Sequence, residues 1–252
     1  MSVTLAIVLI ATGAAAGFIN VVAGGGSLLT VPVLIFAGLP ETTANGTFRV
    51  GILVQNVAAV YRYQRAGRVH WRRYGALGLA ATLGAIVGAL MALRLADPSF
   101  RNIFGWLMLA VAMLVALNPQ RWLHDANPAA QTPLRHPVWV GVGMWVAGVY
   151  GGLVQAGVGY LLLGILTFVG RMPLVDANVA KVAVILCYTV VVLAVFGSTE
   201  HVAWGHALLL SAGQAAGAWL GAHAALVRGA PLVRVVLVGI AIAGALALLG
   251  VF

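Results

Sequence analysis

Apolar and polar positions along this chain fall into long blocks rather than an alternating pattern. Ten apolar segments stand out, at roughly 3–22, 26–38, 42–61, 74–95, 101–117, 138–155, 158–170, 174–197, 204–226 and 231–250. Runs of about 20 apolar residues match the helix length that crosses a hydrocarbon core. The pattern therefore predicts an all-α polytopic membrane protein. Two segments, 26–38 and 158–170, are short. At 1.5 Å per residue each reaches only about 20 Å, against a core of about 30 Å. Each follows a glycine cluster, "AGGGS" at 23–27 and "AGVGY" at 156–160. Long and short segment together predict a hairpin or a broken helix after the glycines.

The short segments also reveal an internal repeat. A shift of 133 positions aligns residues 21–101 with 154–234 without a gap and gives 23 identities in 81. Pro40, Ala44 and Asn45 fall on Pro173, Ala177 and Asn178, and Trp71 falls on Trp204. Gly84 and Gly88 fall on Gly217 and Gly221, and Arg101 falls on Arg234. Apolar bias yields matched leucines and alanines, but not matched Pro, Asn, Trp and Arg. Each half holds about five segments, an odd number, so the second half is expected to be inverted relative to the first. Charge agrees: the loop at 62–73 holds Arg62, Arg65, Arg68, Arg72 and Arg73, whereas its counterpart at 198–206 holds Glu200, His201 and His206 but no Lys or Arg. Cytoplasmic loops carry the excess of Lys and Arg. The expected layout is a first membrane repeat over 1–117, a cytoplasmic linker over 118–137 and a second repeat over 138–252. Inverted repeats are common in secondary transporters.

Composition narrows the class. Of 252 residues 62% are hydrophobic and 8% charged, where a soluble domain carries about 25% charged residues. The mean hydropathy is +1.05. The net charge of +9 reads as a topology signal, and nucleic acid is excluded as a partner. The single cysteine, Cys187, cannot form an intrachain disulfide. The histidines show no metal-binding spacing, the acids are scattered and no phosphate-binding loop is present, so neither an enzyme nor a cofactor is expected. The N-terminal stretch lacks a basic leader region and reads as a first membrane segment.

Two cations break the apolar pattern. Arg49 lies about eight residues into its segment, and Lys181 lies at nearly the same depth in the second half. A cation inside a membrane costs about 2.5–3.5 kcal/mol on insertion scales. Snorkelling to the interface or pairing with Glu41 or Asp176 would relieve that cost; so would an anion held in a water-filled site. Surrounding residues suit the anion. Asn45 and Asn56 share a helix face with Arg49, and Asn178 and Tyr188 stand with Lys181 in the same way. Gly24, Gly25 and Gly26, with Gly157 and Gly159, would free backbone N–H groups where short helices begin, and such N-termini attract anions. Alanine at Arg49 or Lys181 is expected to impair anion binding and leave the fold largely intact.

The chain resembles the TauE/SafE sulfite exporter family of anion transporters. The resemblance covers nearly the whole chain and rests on "GFINVVAGGGSLLTVPVLIFAGLP" (17–40), "ANGT" (44–47), "GRVHWR" (67–72) and "GLVQAGVGYLLLGILTFVGRMPLVDANVAK" (152–181). Ser27 and Thr47, inside these motifs, join the candidate site. The family usually has an acid where His70 stands and more glycine where "QAGVGY" stands. Membership implies movement of sulfur-containing anions, such as sulfite or organosulfonates, across the bacterial inner membrane, with export the expected direction; with no nucleotide-binding motif in the chain, a gradient is the expected driving force. A carboxylate transporter and a non-transporting scaffold or receptor stay open as alternatives. Expected partners are a small anionic substrate and membrane lipid, with a homodimer left open.

Overall fold

The computed structural model describes residues 2–94, 134–197 and 201–248. Among these there are eight α-helices and no strand. In chain order they are α1 (Val3–Val22), α2 (Ser27–Phe36), α3 (Glu41–Arg65), α4 (Trp71–Arg94), α5 (Pro137–Leu153), α6 (Val158–Gly164), α7 (Leu174–Gly197) and α8 (Trp204–Leu248). The segment at 101–117, most of the linker at 118–137, and Glu200 lie outside the described residues.

Local chemistry sets the helix ends. Ser2 caps α1, its hydroxyl accepting the N–H of Leu5 at 3.2 Å, as a short polar N-cap does. Glu41 opens α3, and Arg62 and Arg65 stand in its last turn, each sign facing the helix-dipole end it favours. A π-helical turn at Ile165–Val169 continues α6. The last two apolar segments join as α8, broken at Gly229, where φ is 62° and ψ is −150°. At ten residues, α2 rises about 15 Å and cannot cross a bilayer. α1, α4 and α7 are long and apolar enough to do so. Exposed apolar side chains, among them Leu79, Leu83 and Leu90 on α4 and Trp139 and Val142 on α5, make a surface that suits lipid rather than water.

The halves are interlocked. α1 packs along α8 and α5 along α4, so the first helix of each half lies on the fourth of the other. Small residues set these contacts: a Cβ on Gly84 or Gly88 would collide with the carbonyls of Trp145 or Val149, and one on Gly213 or Gly217 with those of Ile10 or Ala14. Without a hydrophobic drive between helices in lipid, close backbone approach supplies the packing energy. The repeat-equivalent helices α3 and α7 run antiparallel. Asn178, near the start of α7, donates to the Tyr63 hydroxyl near the end of α3 at 3.2 Å. At the other end, Thr47, early in α3, accepts the N–H of Ala203 just beyond α7 at 2.9 Å.

Gly88→Leu is expected to lower the thermal midpoint in detergent by several degrees, because overpacking a filled contact costs about 1–3 kcal/mol. Gly141, with nothing near its Cβ position, is the control. Gly141→Leu should melt within a degree or two of the parent, and equal melts for both variants would remove the α4–α5 contact as a source of stability.

Candidate functional site

The two glycine turns meet at the centre of the molecule. A Cβ built on Gly24 would lie 2.7 Å from the Cα of Gly159, and one on Gly159 2.5 Å from the Cα of Gly24. Gly24 (φ 99°) and Gly157 (φ 75°) take the left-handed backbone their turns require, and Gln155 takes it too at φ 63°. For a side chain larger than glycine this is a strained choice, and such strain gathers at functional positions. Tyr150 braces the second turn, its hydroxyl donating to the Ala156 carbonyl at 2.6 Å. Ser27 ties the turns together, its Oγ accepting the N–H of Gly157 at 3.2 Å.

Just before each turn a helix ends, and its last carbonyls need donors. The donors come from the opposite half. Arg49 sends Nη1 to the Gly151 carbonyl at 3.0 Å and Nη2 to that of Gly152 at 2.7 Å. Asn45 Nδ2 adds a bond to the Leu153 carbonyl at 3.0 Å. In the mirrored arrangement Lys181 Nζ donates to the carbonyls of Asn20 at 2.9 Å and Val21 at 3.2 Å, and to Asn178 Oδ1 at 2.7 Å. The negative ends of the α1 and α5 dipoles thus each face a cation. The Phe196 ring covers Arg49 at 4.7 Å from its centroid.

Both cations are fully buried, so neither snorkels. Among the described residues neither pairs with an acid, and their hydrogen-bond partners are carbonyl or amide oxygens. Asp176 is engaged elsewhere, with Arg68 at 2.8 Å. The structure therefore answers the puzzle of Arg49 and Lys181 with a fourth arrangement, a clasp on helix ends, beside the three the sequence suggested.

Beside the glycine contact lies a small polar cavity. It is lined by Asn20, Ser27, Gln55, Asn56 and Gln155, by Gly24, Val158 and Gly159, and by Ile52 and Ile185. Ile52 and Ile185 occupy equivalent repeat positions, so the cavity lies where the halves face each other. The space open to the centre of a water molecule is about 10 Å³, room for about one water.

Of the candidate residues, Gly24, Ser27, Asn56 and Gly159 line this cavity. Asn45, Arg49, Asn178 and Lys181 form the two clasps behind it. Gly25 lies under the Tyr160 hydroxyl and Gly26 against the Ala16 carbonyl, while Gly157 is bound to Ser27. Tyr188 is buried with its hydroxyl beside Gly151. Thr47 sits apart, bound to Ala203. The expected anion-binding N–H groups are partly taken: Ser27 N–H donates to Asn20 Oδ1 at 3.1 Å, and Gly157 N–H to Ser27. Asn20, Gln55 and Gln155 were not among the candidates. Their signal was available, since each is a carboxamide in otherwise apolar sequence beside a glycine turn or beside Asn56.

Comparison with known proteins adds the decisive observation. The family model described as "Sulfite exporter TauE/SafE" matches residues 9–248. The chain belongs to the TauE/SafE family. Among TauE/SafE-like relatives, a "Probable membrane transporter protein ORF9" from Sinorhizobium sp is 29% identical over 235 residues, covering 93% of this chain and 88% of the relative. A "Probable membrane transporter protein" from Xylella fastidiosa (strain Temecula1 / ATCC 700964) is 27% identical, covering 88% of this chain and 85% of its own. One from Haemophilus influenzae is 25% identical, covering 93% and 90%. No solved structure matches this TauE/SafE chain.

The clasps give this family member a measurable property. The expectation of a largely intact fold changes once these bonds are seen: Arg49→Ala and Lys181→Ala should each lower the thermal midpoint, because buried carbonyls lose charged donors and each lost bond of that kind costs about 1.5–3 kcal/mol. Lys181→Arg should recover much of the loss. Parent-like melting of both alanine variants would show that the helix ends do not depend on the cations.

Proposed function

We propose that the protein is a multi-pass secondary transporter of small sulfur-containing anions, sulfite or an organosulfonate, in the bacterial inner membrane. Export is the direction its family's description names. One observation carries this reading: two fully buried cations, one from each repeat and neither matched by a carboxylate among the described residues, flank the point where the glycine turns meet. Carbonyl dipoles stabilise these cations but leave their net charge in place. An intramembrane cation without an acid partner is a functional candidate by default, and a passing anion would supply the missing countercharge. The antiparallel run of α3 and α7, with the charge asymmetry of the loops, supports an inverted pair of repeats about an axis in the membrane plane. Alternating access would then rock one repeat against the other around the glycine contact.

A second reading is favoured by a specific observation. Lys181 Nζ meets three protein oxygens, one for each hydrogen of an ammonium group, as a purely structural clasp requires. The two readings part on ligand binding. Calorimetric titration of the purified protein with sulfite, sulfate, sulfoacetate and taurine should give saturable binding of at least one sulfur oxyanion. Arg49→Ala and Lys181→Ala, titrated below their own melting range, should weaken it about ten- to a hundred-fold, the effect of one charged hydrogen bond. Binding unchanged in both variants would return the cations to a structural role, and binding of a carboxylate alone would reassign the substrate.

A further inference from the structure

We propose that Gln55 and Ser27 are the side chains that meet the substrate, as two hydrogen-bond donors aimed at one oxyanion face. The proposal rests on the transport reading above. Gln55 has its orientation fixed by a chain of donors and acceptors that admits one arrangement. A backbone N–H can only donate. Ser27 N–H reaches the Asn20 side chain at 3.1 Å, so the atom receiving it is the oxygen Oδ1. Asn20 Nδ2 then faces Gln55 at 3.3 Å and must donate, so the Gln55 atom there is Oε1. Gln55 Nε2 is left with its two hydrogens and no acceptor among the described residues.

Ser27 is set in the same way. Its Oγ accepts the Gly157 N–H at 3.2 Å, and its own hydrogen has no acceptor among the described residues. Both side chains line the cavity. Asn56 Nδ2 gives one hydrogen to the Ile52 carbonyl at 2.7 Å, which ties its amide to its own helix and leaves it one further N–H, against the two that Gln55 Nε2 keeps. Lys181 stands one residue behind this wall, with Nζ on the Asn20 carbonyl at 2.9 Å. Its charge polarises the Asn20 peptide, and linked hydrogen bonds strengthen one another in a dry interior.

At Gln55 and Ser27 the unmatched donors select the oxygens of a ligand, while Gln155, also in the lining, keeps an Oε1 without a donor among the described residues. A sulfite or sulfonate face satisfies both. An ammonium group would set hydrogens against hydrogens, so an aminosulfonate would enter sulfonate first.

The test is calorimetric titration of the full-length protein in detergent with sulfite and with methanesulfonate. The parent is compared with Gln55→Glu, Gln55→Met and Ser27→Ala, with a thermal melt as the folding control. Gln55→Glu, which places an acceptor where the donor stood, should weaken binding about a hundred-fold. Gln55→Met and Ser27→Ala should each weaken it about ten-fold, the effect of one lost buried hydrogen bond. Should Gln55→Glu fail to fold, the two neutral variants carry the test. Parent-like affinity in folded Gln55→Met and Ser27→Ala would overturn this assignment and leave the transport reading standing. A parent that binds neither ligand nor any other sulfur oxyanion would overturn both.

Discussion

A helix that stops inside a membrane protein leaves its last carbonyls facing a medium with few donors, and α1 and α5 both stop in this way. Water satisfies such groups in a soluble protein, whereas here only the protein can. The remedy is reciprocal. Asn45 and Arg49 of the first half hold the end of α5, while Asn178 and Lys181 of the second hold the end of α1. Because each half completes the other, the helix ends stay paired only when the halves are engaged. The long crossed contacts of α1 on α8 and α5 on α4 then follow as the packing that keeps the clasps closed.

The clasps also place chemistry. They fix the two glycine turns against each other and set positive charge on both sides of the contact, while the cavity wall itself carries only neutral carboxamides and a hydroxyl. Charge at one remove attracts an anion without gripping it as a direct ion pair would. A carrier has to release what it binds, so weak direct contacts backed by a buried field suit the task.

Much of this was legible in the sequence. Periodicity and length located the helices; α7 begins and ends where the apolar run at 174–197 does. The glycine clusters marked the turns, and the 133-residue offset foretold which elements would be equivalent. Less was legible where the answer depends on long-range partners. Nothing local to Arg49 says that it reaches carbonyls about a hundred residues away, because a backbone acceptor leaves no trace in residue type. Asp176 looked like a partner for Lys181 by proximity along the chain and in space bonds Arg68. Asn20 and Gln55 were visible as polar residues, but their roles come from a hydrogen-bond sequence that only three-dimensional placement reveals. Thr47 lies in the same motif as Asn45, yet its hydroxyl turns away from the clasp and accepts the N–H of Ala203.

The contact between Gly24 and Gly159 has a consequence for how such a protein can change. The two halves differ where a side chain has room: at the 133-residue offset Arg49 stands opposite Val182, and Lys181 opposite Phe48. At the glycine contact there is no such room. Every other amino acid carries a Cβ, so any substitution at either position, however conservative in polarity, forces two backbones apart. A compensating change elsewhere cannot remove an atom that all nineteen alternatives share. At these two positions each half sets the limit on the other, because neither glycine can gain a side chain without moving the opposite backbone.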